Sequence, residues 1–157
     1  MTSSFVPDSF ALPLRLEHPQ FHLRPLCIRD VVKDYDAVMS SVEHLHTQIP
    51  PEVFHGVWPD PAMTIEDDLA DLGWHQVEFK NRTSFTYTVM KPDESQCLGC
   101  VYIFPPRFTD AEAEVFLWVR KSELETELDS ILFSAVQNWL KTAWPFASVS
   151  YPFRATN

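Results

Sequence analysis

Glycine is nearly missing from this chain: three in 157 residues, at Gly56, Gly73 and Gly99. Backbone that wraps closely around a phosphate exploits glycine's lack of a Cβ, so few places remain for such a loop. Cysteine is as scarce, and an odd count of three argues against a disulfide framework and suits a reducing compartment. Basic residues are outnumbered, with 12 Lys and Arg against 22 Asp and Glu for a formal net charge of -10. That balance speaks against a general grip on nucleic acid or an anionic membrane, which depends on clustered Lys and Arg. A cationic or neutral partner is accommodated more easily. No apolar run approaches the ~20 residues of a membrane span, and residues 1–20 lack the basic start and apolar run of an export signal. Cytoplasmic localisation is the expectation.

What is present is apolar and aromatic. The chain is 45% hydrophobic and 13% aromatic, so it is not wholly disordered, and its length fits one domain that buries roughly 70% of its unfolded surface. Residues 1–19 carry Pro7, Pro13 and Pro19 and read as an irregular N-terminal arm before a single domain over 20–157. A first strand is expected at about 21–26, then a helical stripe of Val31, Tyr35, Val38, Met39, Val42 and Leu45 behind an N-cap at or near Asp30. Four prolines between Thr47 and Ala62 make a stiff loop bearing Phe54, His55 and Trp58. Thr64 and Asp67 resemble a capping box for a second helix with the face Ile65, Leu69, Leu72, Gln76 and Phe79. Strands follow at 84–90 and 98–104, joined by a turn at 91–95.

The most distinctive unit comes next. An apolar strand over 113–119 runs into a long amphipathic helix whose apolar face is Leu124, Leu128, Ile131, Leu132, Ala135, Val136, Trp139, Leu140 and Ala143. Ser122 and Glu125 have capping-box spacing, and Glu123, Glu127 and Asp129 crowd the same turns. A helix start is ordinarily an anion site; this one supplies its own anions. A last strand at 146–151 is expected to join in parallel through a right-handed crossover. The fold class is therefore α/β, a mixed, mostly antiparallel sheet flanked by helices.

This order resembles the GNAT N-acetyltransferase superfamily over about residues 21–151. Leu23-Arg24-Pro25-Leu26 with Asp30 is similar to that family's first strand and helix start, Leu98-Gly99-Cys100-Val101-Tyr102-Ile103 to its glycine-led strand, and Leu117-Trp118-Val119-Arg120 to the strand before the cofactor loop. The resemblance implies an acyl-CoA N-acyltransferase-like fold, acetyl-CoA as co-substrate and transfer to a small-molecule amine. It assigns the backbone around Leu117, Trp118, Val119 and Arg120 to the pantetheine arm. The helix start, Leu124, Glu125, Thr126, Glu127, Leu128 and Asp129, falls to the pyrophosphate. The family's Gln/Arg, Gly and Gly/Ala positions align with Leu124, Glu127 and Asp129, so the motif is degenerate. Two like charges ~4 Å apart repel by about 1 kcal/mol in water and about 4 at a surface-like dielectric, against about -8 for micromolar binding. Arg120 and Lys121 offset part of that. The alternative reading is a non-catalytic GNAT-fold binding or interaction protein that has lost CoA.

The resemblance also places Glu114 as the carboxylate that deprotonates the amine, and Tyr151 as a substitute for the tyrosine that protonates the departing thiolate. Alternation of Glu112 and Glu114 with Ala113 and Val115 is explained without chemistry by a solvated strand face, the reading the pattern favours. Phe54, His55 and Trp58 wall the acceptor site by resemblance, or else pack on the core. The sequence ends six residues after Tyr151 where the family adds a helix and two strands. A second chain, as in a homodimer, would supply the sheet's far half. Cys97 and Cys100 are three apart and point to opposite faces unless a bulge at Gly99 intervenes. His44 and His46 do not converge on one helix, and His75 reads as a structural histidine at the edge of its helix face. No metal site is assigned.

Overall fold

Alternation along three strands builds the centre of the molecule. In the computed structural model, which describes residues 4–154, β3 (Phe85–Met90), β4 (Cys97–Phe104) and β5 (Ala113–Val119) are antiparallel neighbours. Phe85, Tyr87, Val101, Ile103, Val115 and Leu117 turn to one face, while Cys100, Tyr102, Phe116 and Trp118 turn to the other. β2 (His22–Pro25) extends the sheet beside β3, β1 (Leu16–Glu17) lies beyond β2, and β6 (Val149–Ser150) pairs with β5 in parallel. The six strands lie in chain order.

Helices cover both faces. α4 (Leu128–Ala143) packs Leu128, Leu132, Val136, Trp139 and Leu140 on the first face, as its periodicity requires. The second face carries α1 (Val31–Met39), α2 (Val42–Gln48) and α3 (Ile65–Lys80). The Thr64 capping box forms: Thr64 Oγ1 accepts from the Asp67 amide at 3.1 Å and Asp67 Oδ2 accepts from the Thr64 amide at 2.9 Å. No helix among the described residues is long and apolar enough to cross a membrane.

The structure departs from the sequence reading in several places, each with a local cause. The first helical stripe is two helices, because Ser41 leaves the helical path and its Oγ accepts from the Lys121 amide at 2.8 Å. Residues of the expected irregular arm include β1, and Val6 is fully buried in the core of the α4 face. The expected strand over 146–151 shortens to Val149–Ser150. α4 starts at Leu128, preceded by a 3-10 turn over Lys121–Glu123, so the Ser122 and Glu125 capping box does not form and Leu124 is exposed.

Two further corrections concern side-chain direction. Met90 pairs with Cys97 but Val89 with Gly99, which leaves Leu98 as the extra residue of a bulge. Cys97 and Cys100 therefore share the helix-α1 face instead of pointing apart, and Leu98 points to the other. Gly99 is required here: a Cβ would sit 2.0 Å from the Trp118 carbonyl oxygen on β5. α3 is turned relative to its expected face, of which Leu72 and Phe79 still meet the core. Only Leu72 of that face is fully buried; Ile65 and Leu69 face solvent, and Asp68 lies inside.

Candidate functional site

β5 and β6 pair only at Ala113↔Val149 and Glu114↔Ser150, and beyond that point the chains part. The gap is a cleft of about 270 Å³ lined by Val115, Phe116 and Leu117 on one side, Pro152, Phe153 and Arg154 on the other, with Thr47, Gln48, Ile49 and Asp129 closing it. Arg154 reaches Asp129 with two hydrogen bonds of 2.8 Å and lies 4.7 Å over the Phe133 ring. Phe153 rests edge-on against Phe108 at 5.5 Å and stacks on Phe116 at 6.5 Å.

Of the residues assigned to a cofactor, Leu117 and Asp129 line this cleft. Trp118 and Val119 are buried on opposite faces of the sheet. Arg120 turns away: its guanidinium donates to the Cys97 carbonyl at 3.0 Å, to Asp36 at 3.0 Å and to Ser40 Oγ at 3.3 Å. It is thus tied to α1 and does not offset the acids of the helix start. Glu125 and Glu127 are exposed, Leu128 is buried, and Asp129 is held by Arg154. Thr126 Oγ1 accepts from the Leu128 amide at 3.1 Å, which satisfies one of the first free N–H groups of α4.

Glu114 is fully buried, which overturns its reading as part of a solvated face. Its carboxylate accepts from the amides of Arg107, Phe108 and Thr109 at 2.8, 2.9 and 2.7 Å, and from Thr109 Oγ1 at 2.8 Å. Burial pushes the group up, and these donors outweigh it and hold it below the usual carboxylate range. Such a carboxylate anchors the loop after β4. Tyr151 follows β6 with its ring edge-on to Phe133 at 5.1 Å, and burial raises its hydroxyl to about 12.

A larger cavity of about 570 Å³ lies on the helix-α3 face. Phe54, His55 and Trp58 line it, so the aromatic loop does wall a cavity, together with Trp74, Tyr102 and Phe104. Phe54 meets Trp58, Tyr102 and Phe104 at 5.1, 5.2 and 6.3 Å between ring centres. Phe104 lies 5.9 Å from Phe116, a cleft residue, so an aromatic ridge separates the two concavities.

The cavity's acids are what the sequence reading missed. Asp34, Asp68, Asp71 and Glu78 all line it. Burial and the neighbouring Asp68 push Asp34 well above the usual carboxylate range, and burial raises Asp68 to about 6 while a hydrogen bond from Asp34 works the other way. Asp34 thus keeps its proton and offers it to Asp68. Burial also raises Asp71, opposed by the Trp58 indole. His75 hydrogen-bonds Thr86 Oγ1 at 3.0 Å and is lowered by burial, so it is neutral. One signal was available: positions 68, 71, 75 and 78 follow helical spacing and are all titratable.

Cys97 and Cys100 are free, and burial raises both thiols, Cys97 to about 12. Among the described residues no group of three or more metal-ligating side chains converges.

No protein-family model matches this sequence, and no curated protein matches it. Solved structures do. A ribosomal-protein-S5-alanine acetyltransferase from Vibrio fischeri superposes with a TM-score of 0.65 at 16% identity, covering 83% of this chain and 69% of that one. A ribosomal L7/L12 α-N-protein acetyltransferase in complex with coenzyme A gives 0.62 at 12% identity, covering 84% and 69%. A microcin C7 self-immunity acetyltransferase in complex with acetyl-CoA and AMP gives 0.63 at 9% identity, covering 85% and 71%.

Proposed function

We propose that this chain, which has the fold of the GNAT acetyltransferases, transfers an acetyl group from acetyl-CoA to an amine. The observation that carries this reading is the parting of β5 from β6 after Glu114 and Ser150. Beyond it, the β6-side backbone groups of residues 115–117 have no strand partner, so a linear ligand with amide groups can pair with that edge. Solved neighbours with this fold hold coenzyme A or acetyl-CoA, which supports the same co-substrate here.

When bound, acetyl-CoA supplies the activated acyl carbon. Val115, Phe116 and Leu117 present the edge for its arm, and Arg154 supplies a positive charge beside the start of α4. In the reaction the free amine attacks the thioester carbonyl, the C–S bond breaks, the nitrogen gives up its proton to solvent water and the thiolate takes one. Tyr151 remains protonated at neutral pH and is the proposed donor to that thiolate. Glu114 is proposed as the anchor of the 107–109 loop in place of the base the family resemblance suggests, since four donors occupy its carboxylate. The acceptor is an amine; the ribosomal-protein enzymes among the neighbours support a protein amine beside the small-molecule amine that the sequence resemblance implies.

A second reading, a domain that has lost CoA and binds something else, is favoured by the acidic start of α4 and by Phe153 and Arg154 lodged in the cleft. Calorimetry with acetyl-CoA, paired with an assay of thiol release over a panel of amines and peptides, decides between them. Micromolar binding with amine-dependent thiol release supports the transferase. An absence of acetyl-CoA binding at low salt removes it.

A further inference from the structure

α3 is built against the usual rule for a surface helix. Ile65, Leu69 and Val77 face solvent, and Trp74 is 68% exposed, while Asp68 is 1% exposed. Asp68 lines the larger cavity, and apart from the proton that Asp34 offers it no backbone or side-chain group donates to its buried Oδ2. A buried carboxylate whose one donor is a second carboxyl group, with no cation beside it, is costly to ionise. Packing alone does not explain this arrangement, because a leucine at position 68 would bury apolar surface instead. An arriving cation would supply the positive charge that the pair lacks.

We infer that the cavity beneath α3 is a binding site for a small organic monoammonium ion, its charge seated against Asp68 and Asp34 and its apolar body held among Phe54, Trp58 and Tyr102. Aromatic faces attract a cation, and the cavity's volume of about 570 Å³ suits a ligand of small-molecule size. Arg107 settles how many charges the ligand carries. Its guanidinium lines the same cavity, fixed by a 2.7 Å bond to the Val53 carbonyl and by the Phe108 ring at 5.0 Å. A second ammonium reaching that end would meet a like charge, so one ammonium and an apolar or anionic far end fit best. In naming the acceptor's chemistry the inference rests on the transferase reading; the binding itself does not require acetyl-CoA.

Binding is linked to protons. Below the Asp68 titration near pH 6, both carboxyl groups are neutral and the ion meets no charge; above it, Asp68 is ionised while Asp34 remains protonated. The other groups that bear on the pair are Asp71 on α3 and Asp30, which acts on Asp34. Cys97 and Cys100 on β4 stay protonated, as does Tyr102, and neutral His75 lies further along the cavity. Ammonium binding near pH 6 therefore expels a proton from Asp68 to solvent.

The test is calorimetry on the full chain without acetyl-CoA, comparing 2-phenylethylammonium with neutral 2-phenylethanol. The amine is expected to bind ~10-fold or more tightly than the alcohol, with affinity rising from about pH 5 to about pH 7. Its enthalpy near pH 6 should depend on the buffer's ionisation heat. Asp68→Asn removes the charge and is expected to erase the preference for the amine while leaving the melting temperature equal or higher, since a strained carboxylate pair is relieved. If that variant fails to fold, Asp34→Asn, which leaves Asp68 ionised, is expected to keep the preference and weaken its pH dependence. Equal binding of amine and alcohol, no binding of either, or unchanged amine affinity in Asp68→Asn overturns the inference. Acetyl-CoA, titrated separately, tests the transferase reading: its failure with amine binding intact removes that reading and leaves this site standing.

Discussion

The Arg24 guanidinium lies between two carboxylates. It donates to Glu94 at 2.8 and 3.0 Å and to Asp30 at 2.7 and 3.0 Å, and Asp30 also accepts from the Cys27 amide at 2.9 Å. The hydrogen bonds from Arg24 pull Glu94 down to about 2. Arg24→Met leaves Asp30 buried without its cation, and the expected loss is about 3 to 5 kcal/mol in urea unfolding. A loss below ~1 kcal/mol would show that water takes over the pairing. The string Leu23-Arg24-Pro25-Leu26 was legible as a strand, but the arginine's role was not, because Glu94 lies seventy positions away in sequence. Glu114 gives a similar lesson. Alternation placed it on a strand face without saying that the 107–109 loop folds back over that face. Glu114→Gln puts an NH2 group or a weaker acceptor among four donors, so stability is expected to fall by about 1 to 3 kcal/mol and any transfer activity with it, at unchanged pH profile. Full stability with abolished transfer would return the base role to Glu114.

At the scale of elements, periodicity predicts best where one apolar stripe meets one apolar sheet face. α4 is that case: Leu128, Leu132 and Trp139 are buried as their spacing demands, and Leu132→Ala is expected to cost about 2 to 5 kcal/mol. α3 is the opposite case. Its apolar residues at 65, 69 and 77 also follow helical spacing, yet they face outward because the other side carries Asp68, Asp71, His75 and Glu78 into the cavity. Leu69→Ala should therefore change stability by less than about 0.5 kcal/mol, a direct contrast with Leu132→Ala in the same denaturation experiment. α4 begins five residues later than a helix capped by Ser122 would, for a related reason. Ser122 and Glu125 satisfy a local motif, but the chain leaving β5 is first held by Ser41 and turns through a 3-10 segment before helix geometry begins. Tertiary contact overrode local chemistry in each instance, including the Leu98 bulge that turns Cys97 and Cys100 to one side.

Across the whole molecule, charge decides how conditions act. Asp68 titrates near 6 in the fold, above its unfolded value near 3.8, so the folded state binds the extra proton between those values. Its contribution to stability is full below about pH 4 and is lost as pH rises through about 6, so this group makes the melting temperature decline across that window. Asp68→Asn should flatten that decline. The net charge of -10 acts on anionic ligands in the opposite sense from how it acts on a cation. Glu125 and Glu127 are exposed at the start of α4 and repel any diphosphate brought to it, whereas Asp129 is already held by Arg154. Changing Glu125 and Glu127 to Gln, with the Asp129 and Arg154 pair left in place, is therefore expected to tighten acetyl-CoA binding by ~10-fold at low salt. Screening should shrink that gain to ~2-fold near 0.5 M salt, because exposed charges interact over little more than a Debye length. The helix should lose about 0.3 to 1 kcal/mol per acid removed from its positive end, which separates an electrostatic gain in binding from a general gain in stability. Calorimetry at both salt concentrations reads the outcome. A gain that persists undiminished at high salt would mean that the two glutamates act by shape, and no gain at either would place the obstacle at Phe153 and Arg154 in the cleft.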